Sequence, residues 1–182
     1  MARIGIFAGT FDPVHNGHVA FALAAMNDCH LDSVVFLPER EPRGKHGVTP
    51  IGHRVAMLEC VVADRPDFSL LQLAEPQFDV RATLPQLQRR FAGDELFLLV
   101  GSDVAAHIVR WDGAKELLAA MEVVIGQRAG DPLPQLPVST IVLPTVQAHV
   151  AASDIRSGLS QDIAPDVRKY IDAHHLYGMA TP

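Results

Sequence analysis

Short apolar runs alternate along the chain with stretches of helical periodicity. Six runs read as strands: Arg3–Ala8, Ser33–Leu37, Phe68–Leu73, Glu95–Val100, Glu122–Gly126 and Thr140–Leu143. Several are apolar at every position, as in Leu96-Phe97-Leu98-Leu99-Val100. A strand of that kind needs cover on both faces, the mark of a parallel sheet between two helical layers. Helical spacing falls between the runs, over His18–Asn27, through Ile51, Val55, Leu58 and Val62, and over Thr83–Phe91, Ala114–Ala120 and Pro165–His174. Pro165 sits well in a first turn. The order β-α-β-α predicts a Rossmann-like, doubly wound α/β fold: a parallel sheet of five to six strands with helices on both faces. Right-handed crossovers then gather the functional loops at the carboxyl ends of the strands. Two segments have no period. Pro38–Pro50 is charged, with three prolines and two glycines, and reads as a candidate lid; Arg128–Pro137 reads as a connector.

The 182 residues suffice for one well-cored domain, so residues 1–182 are expected to form a single unit. A net charge of −6 argues against a binder of nucleic-acid polymers, which need a broad basic face, but leaves room for a small basic pocket. Cys29 and Cys60 form neither a disulfide framework nor a CxxC pair, which points to a reducing, cytoplasmic setting. Gly9, Asp12 and Pro13 interrupt the first apolar stretch before it could act as a signal peptide. No apolar run approaches the roughly 18 residues of a membrane helix, so no membrane partner is expected. The oligomeric state stays open, a homo-oligomer included.

Chemistry concentrates after the first strand, in Gly9-Thr10-Phe11-Asp12-Pro13-Val14-His15-Asn16-Gly17-His18. The amides of Gly9 and Thr10 follow the strand, where a turn can aim them at an anion. Pro13 fixes its own φ. His15 and His18 are three apart and fall at the start of a helix, whose partial positive charge favours phosphate. Gly17 lets a ligand approach the backbone closely. There is no H-E-x-x-H, no Cys/His cluster and no Ser-His-Asp or Cys-His spacing, which gives no reason to expect a structural zinc or a covalent nucleophile.

This stretch resembles the signature of the nucleotidyltransferase superfamily, and most of all the bacterial nicotinate mononucleotide adenylyltransferases, whose motif is G-G-T-F-D-P-x-H-x-G-H. Further segments are similar in the same order. His53-Arg54-Val55-Ala56-Met57-Leu58 resembles an R-x-x-M helix, and Gly101-Ser102-Asp103 a G-x-D, with Trp111 beyond it. Val124-Ile125-Gly126-Gln127-Arg128 resembles a strand followed by Arg, and Ser153-Asp154-Ile155-Arg156 resembles I-S-S-T-x-I-R. Val167-Arg168-Lys169-Tyr170-Ile171 and Leu176-Tyr177 resemble a V-x-x-Y-I…L-Y ending. The resemblance implies transfer of AMP from ATP to a pyridine mononucleotide, with ATP and nicotinate mononucleotide as substrates and Mg²⁺ entering with ATP. It places His15, His18, Lys45 and Arg156 on the phosphates, with main-chain contacts from Gly9, Thr10 and Phe11. Ser153 and Ile155 fall in the second phosphate loop. Gly101, Asp103 and Arg128 fall near ribose and adenine, and Thr83 and Trp111 near the pyridine ring. On local grounds, Asp103 can instead cap a helix, Arg128 and Arg156 can be surface residues, and Trp111 can be a packing residue.

The chain departs from the pattern in four places. Ala8 stands at the first glycine, and Arg43-Gly44-Lys45-His46 replaces P-H-K, which makes Lys45 the candidate lysine. Ala151 and Ala152 replace two serines, and Arg81-Ala82-Thr83 stands for S-Y-T. Two alternatives therefore stay open: a transferase of the superfamily with another phosphate acceptor, and a catalytically weak nucleotide-binding module.

Overall fold

The structure, a computed structural model, describes residues 1–127, 132–133, 135–144 and 151–178. All six expected strands are present: β1 (Arg3–Gly9), β2 (Ser33–Pro38), β3 (Phe68–Leu70), β4 (Glu95–Gly101), β5 (Glu122–Gln127) and β6 (Thr140–Pro144). They form one parallel sheet in the order β3-β2-β1-β4-β5-β6. The helices are α1 (Asn16–Asp28), α2 (Ile51–Val62), α3 (Val80–Arg90), α4 (Ser102–Ala105), α5 (Ala114–Ala120), α6 (Ala152–Arg156) and α7 (Pro165–Ala173). Among the described residues no helix is long and apolar enough to cross a membrane.

Alternation along the central strands builds two cores. Ile4 and Ile6 of β1, with Leu96 and Leu98 of β4, face the layer of α3 and α5, where Leu84, Leu87 and Leu117 meet them. Phe7 of β1, with Phe97 and Leu99 of β4, faces α1, α2 and α7 through Phe21, Leu58 and Ile171. Full burial of such a side chain contributes about 1.5–3 kcal/mol. The two layers therefore dominate the stability and fix where the strand ends lie. In this strand order the chain leaves β1 toward one side of the sheet and β4 toward the other. The crevice beyond the carboxyl ends of β1 and β4 is thus the topological switch point, where open α/β sheets bind ligands.

The elements differ from expectation mainly at their ends. β3 stops at Leu70 because it is an edge strand with three partners on β2, and the chain leaves after the Leu71 amide bonds to Phe36 O. α3 starts at Val80 because the Asp79 carboxylate accepts the Ala82 N–H at 3.0 Å, so Asp79 caps it and Pro85 falls inside. α1 starts at Asn16 because His15 is its N-cap. α4 and α6 have four and five residues, too few to show a period.

Candidate active site

The turn after β1 is built around a buried phenylalanine. Phe11 adopts a left-handed backbone (φ 51°) and is only 2% exposed. Its ring folds back under Gly9, where an added Cβ would lie 3.0–3.3 Å from it, so any larger residue would have to push the ring aside. The same ring meets Phe7 and Phe36 edge-on, with centroids 5.3 and 5.6 Å apart. The left-handed conformation costs about 1–2 kcal/mol, which burial of the ring offsets. The peptide between Asp12 and Pro13 is cis.

His15 and His18 meet at the head of α1. Their rings stack with centroids 3.7 Å apart and planes 29° apart. The His15 N–H donates to His18 Nδ1 at 3.2 Å, half of a reciprocal capping arrangement between the two residues. Because Nδ1 accepts, the proton of a neutral His18 sits on Nε2, making Nε2–H the ring's donor. Phe7 and Phe11 flank the His18 ring at 5.8 and 5.1 Å. His18 is therefore held in one orientation, half-buried, while His15 is buried.

Three cations converge on this turn in a chain of negative net charge. Lys45 Nζ donates to Thr10 Oγ1 at 2.8 Å, which ties the Pro38–Pro50 segment to the end of β1. Arg156 Nη1 donates to Asp12 O at 2.6 Å. Arg54, on α2, is fully buried and donates to four carbonyls: Thr49 at 2.8 Å, Thr10 at 2.7 Å, Glu39 at 2.7 Å and Arg40 at 2.9 Å. Burial pulls its pKa down and the nearby Asp12 pulls it back up; a guanidinium stays charged under both. The segment after β2 is also fastened outward, by Arg40 Nη2 to Ala74 O at 2.6 Å, Glu41 N to Pro76 O at 2.8 Å, and Arg43 to Gln77. The segment that reads as a candidate lid is thus anchored at both its inner and outer sides. Arg54 is the residue with no assigned role in the sequence. Its signal was its place on the apolar stripe, three after Ile51 and four before Leu58, where a lone cation needs partners.

Gly101 and Asp103 lie across the crevice, at the end of β4. Asp103 Oδ1 folds over Gly101, 2.6 Å from where a Cβ would stand, so any larger residue at 101 would displace it. Ser153 is exposed at the start of α6. Ile155 has its side chain fully buried in the core, where it packs α6 onto the sheet, and its amide lies 3.4 Å from Ala151 O. Thr83 is fully buried, and its Oγ1 accepts the Asp79 N–H at 3.2 Å, which fastens the start of α3. Trp111 is half-buried, with its ring 6.0 Å from that of Phe78 and inclined by 45°. Arg81, beside Thr83, forms a bidentate pair with Asp112 at 2.6 and 2.7 Å that joins α3 to the segment carrying Trp111. Arg128 lies outside the described residues.

A 3-2-1-4-5-6 sheet with histidines, lysine and arginine gathered at its switch point defines an α/β nucleotide-binding protein. Comparison with known proteins narrows the class. Residues 6–160 match the cytidylyltransferase-like family. The chain is 33% identical to a probable nicotinate-nucleotide adenylyltransferase of Leifsonia xyli subsp. xyli, over 96% of this chain and 94% of that one. It is 31% identical to the nicotinate-nucleotide adenylyltransferase of Bacillus subtilis, over 97% and 99%. Its fold is similar to that of the Plasmodium falciparum nicotinic acid mononucleotide adenylyltransferase complexed with NaAD, at a TM-score of 0.79 and 19% identity over 99% of both chains. The chain belongs to the cytidylyltransferase-like family and is a nucleotidyltransferase.

Proposed function

We propose that this nucleotidyltransferase is a nicotinate-nucleotide adenylyltransferase. It transfers AMP from ATP to the 5′-phosphate of nicotinate mononucleotide, releasing pyrophosphate, as a step in NAD biosynthesis. The observation that carries the reading is the stacked His15–His18 pair at the β1 end of the switch point, in a chain whose near-full-length relatives bear that name.

The acceptor phosphate is already anionic, so attack on the α-phosphorus needs alignment and charge neutralisation rather than a strong base. Alignment can contribute up to about 7–11 kcal/mol, and a donor aimed at developing charge about 2.7–4 kcal/mol. We assign His18 Nε2–H, His15 and the Gly9, Thr10 and Phe11 main chain to the triphosphate at the reacting phosphorus. Lys45 and Arg156 take the outer phosphates, and Ser153 adds a donor beside Arg156. Gly101, Asp103 and Arg128 are assigned to the adenosine moiety and Trp111 to the pyridine ring. Mg²⁺ is assigned to the ATP phosphates as part of the substrate, with phosphate oxygens and water as its ligands.

The test is pyrophosphate release from ATP across a panel of acceptors. Release should require nicotinate mononucleotide. Turnover with phosphopantetheine alone would overturn the acceptor assignment, and ATP binding without turnover on any acceptor would overturn the enzymatic reading.

A further inference from the structure

Asp12 is a hub that the transfer mechanism leaves unused. It is 5% exposed, yet three remote segments end on it. The Tyr177 hydroxyl donates to Oδ1 at 2.7 Å, the Thr49 N–H donates to Oδ2 at 3.2 Å, and Arg156 Nη1 donates to the main-chain oxygen at 2.6 Å. Thr49 also gives its carbonyl to Arg54, whose other bonds hold Thr10, so Asp12 and Arg54 grip the same turn from two sides. Only Pro13 and Val14 separate Asp12 from His15, and Val14 is fully buried. A tilt of Asp12 therefore passes to the His15 amide, and from it to the ring of His18 that the amide orients.

Tyr177 reaches this hub from a strained backbone, in a left-handed conformation (φ 64°, ψ 14°) that tyrosine seldom adopts. Such a conformation persists only where surrounding contacts over-determine it, and the bond to Asp12 is one of them. Resting on the adenylyltransferase reading, we propose that Tyr177 is a positioning residue for the transfer. Its hydroxyl fixes the Asp12 carboxylate, and through it holds the His15–His18 pair and the Arg156 guanidinium in register on the triphosphate.

Tyr177→Phe removes the hydroxyl alone. Misplacement of aligned groups by about an ångström lowers turnover by up to about a hundredfold. The variant should lose about 10–100-fold in kcat, with KM for ATP and for the mononucleotide within about threefold of the parent. Asp12→Asn should show a loss of the same kind, and adding Tyr177→Phe to it should cost less than about twofold more, since the two act as one unit. A second readout needs no substrate: the ring ¹⁵N signals of His15 and His18 in the intact chain should move in Tyr177→Phe. Unchanged kcat per folded molecule, losses that multiply in the double variant, or unmoved histidine signals would each overturn the proposal. A wild-type chain inactive with nicotinate mononucleotide would instead sink the functional reading, and the spectral test of positioning would still decide this one.

Discussion

Replacing Arg54 with methionine removes a buried guanidinium while keeping an unbranched apolar stem in its place. Four carbonyls, those of Thr10, Glu39, Arg40 and Thr49, then lose their donor. A hydrogen bond to a charged group contributes about 1.5–3 kcal/mol, so the gross loss is about 6–12 kcal/mol. Against it stands the cost of desolvating the guanidinium, several kcal/mol, which the variant escapes. The net penalty should therefore fall near the 3–5 kcal/mol typical of a broken buried charge network. At about 2–4 °C per kcal/mol for a chain of this size, the melting midpoint should drop by about 6–20 °C, and urea unfolding should show the same loss. Below that midpoint the variant should also turn over slowly, because Thr10, and with it Lys45, loses its support from α2. Arg54→Lys keeps the charge but offers one compact ammonium where a planar fork spans four carbonyls, so it should recover less than half of the stability. A methionine variant within about 1 kcal/mol of the parent, or a lysine variant equal to it, would refute the idea that Arg54 clamps the two loops.

Other outcomes follow from the same geometry. His18→Ala should lower kcat by about 10²–10³-fold, the loss typical of one aimed donor, while loss of its bond to the His15 amide lowers the melting midpoint by only a few degrees; near-normal pyrophosphate release would remove His18 from the transition state. Trp111→Ala should raise KM for the mononucleotide selectively, since stacking of a base on an aromatic ring is worth about 1–3 kcal/mol, and an equal rise in KM for ATP would refute the stacking role. Burial pushes the Tyr177 phenol above its ordinary pKa; the Thr49 side chain opposes it, and the bond to the Asp12 carboxylate and its charge add to the rise. The folded state thus binds this proton more tightly than the unfolded chain. The resulting stability is complete below about pH 10 and is lost as pH rises toward the raised value. The stability gap between the parent and Tyr177→Phe should accordingly narrow above pH 10 in urea titrations, and a gap constant with pH would contradict the assigned proton.

The sheet was legible because strands buried on both faces are written as unbroken apolar runs, whereas the strand order was not, because several doubly wound orders satisfy right-handed crossovers equally. Boundaries were less legible where a polar residue decided them, as Asp79 does for α3 and His15 for α1. The phosphate turn could be read because its residues are contiguous. What holds the turn could not be: Tyr177 is 165 positions from Asp12, and a lone arginine on an apolar stripe declares that it needs partners without saying which. Thr83 was legible only as a hydroxyl near a helix start; that its Oγ1 accepts the Asp79 N–H depends on how α3 begins, which the motif does not state.

The claim at the centre of this account is a single in-line displacement at the α-phosphorus, aligned by the Gly9–His18 turn with no covalent enzyme intermediate. Stereochemistry tests it directly. With one diastereomer of ATP carrying sulfur on the α-phosphorus, and nicotinate mononucleotide as acceptor, the dinucleotide product should form with inversion of configuration at that phosphorus. Retention would mean two displacements through a nucleophile of the protein, and would contradict the account.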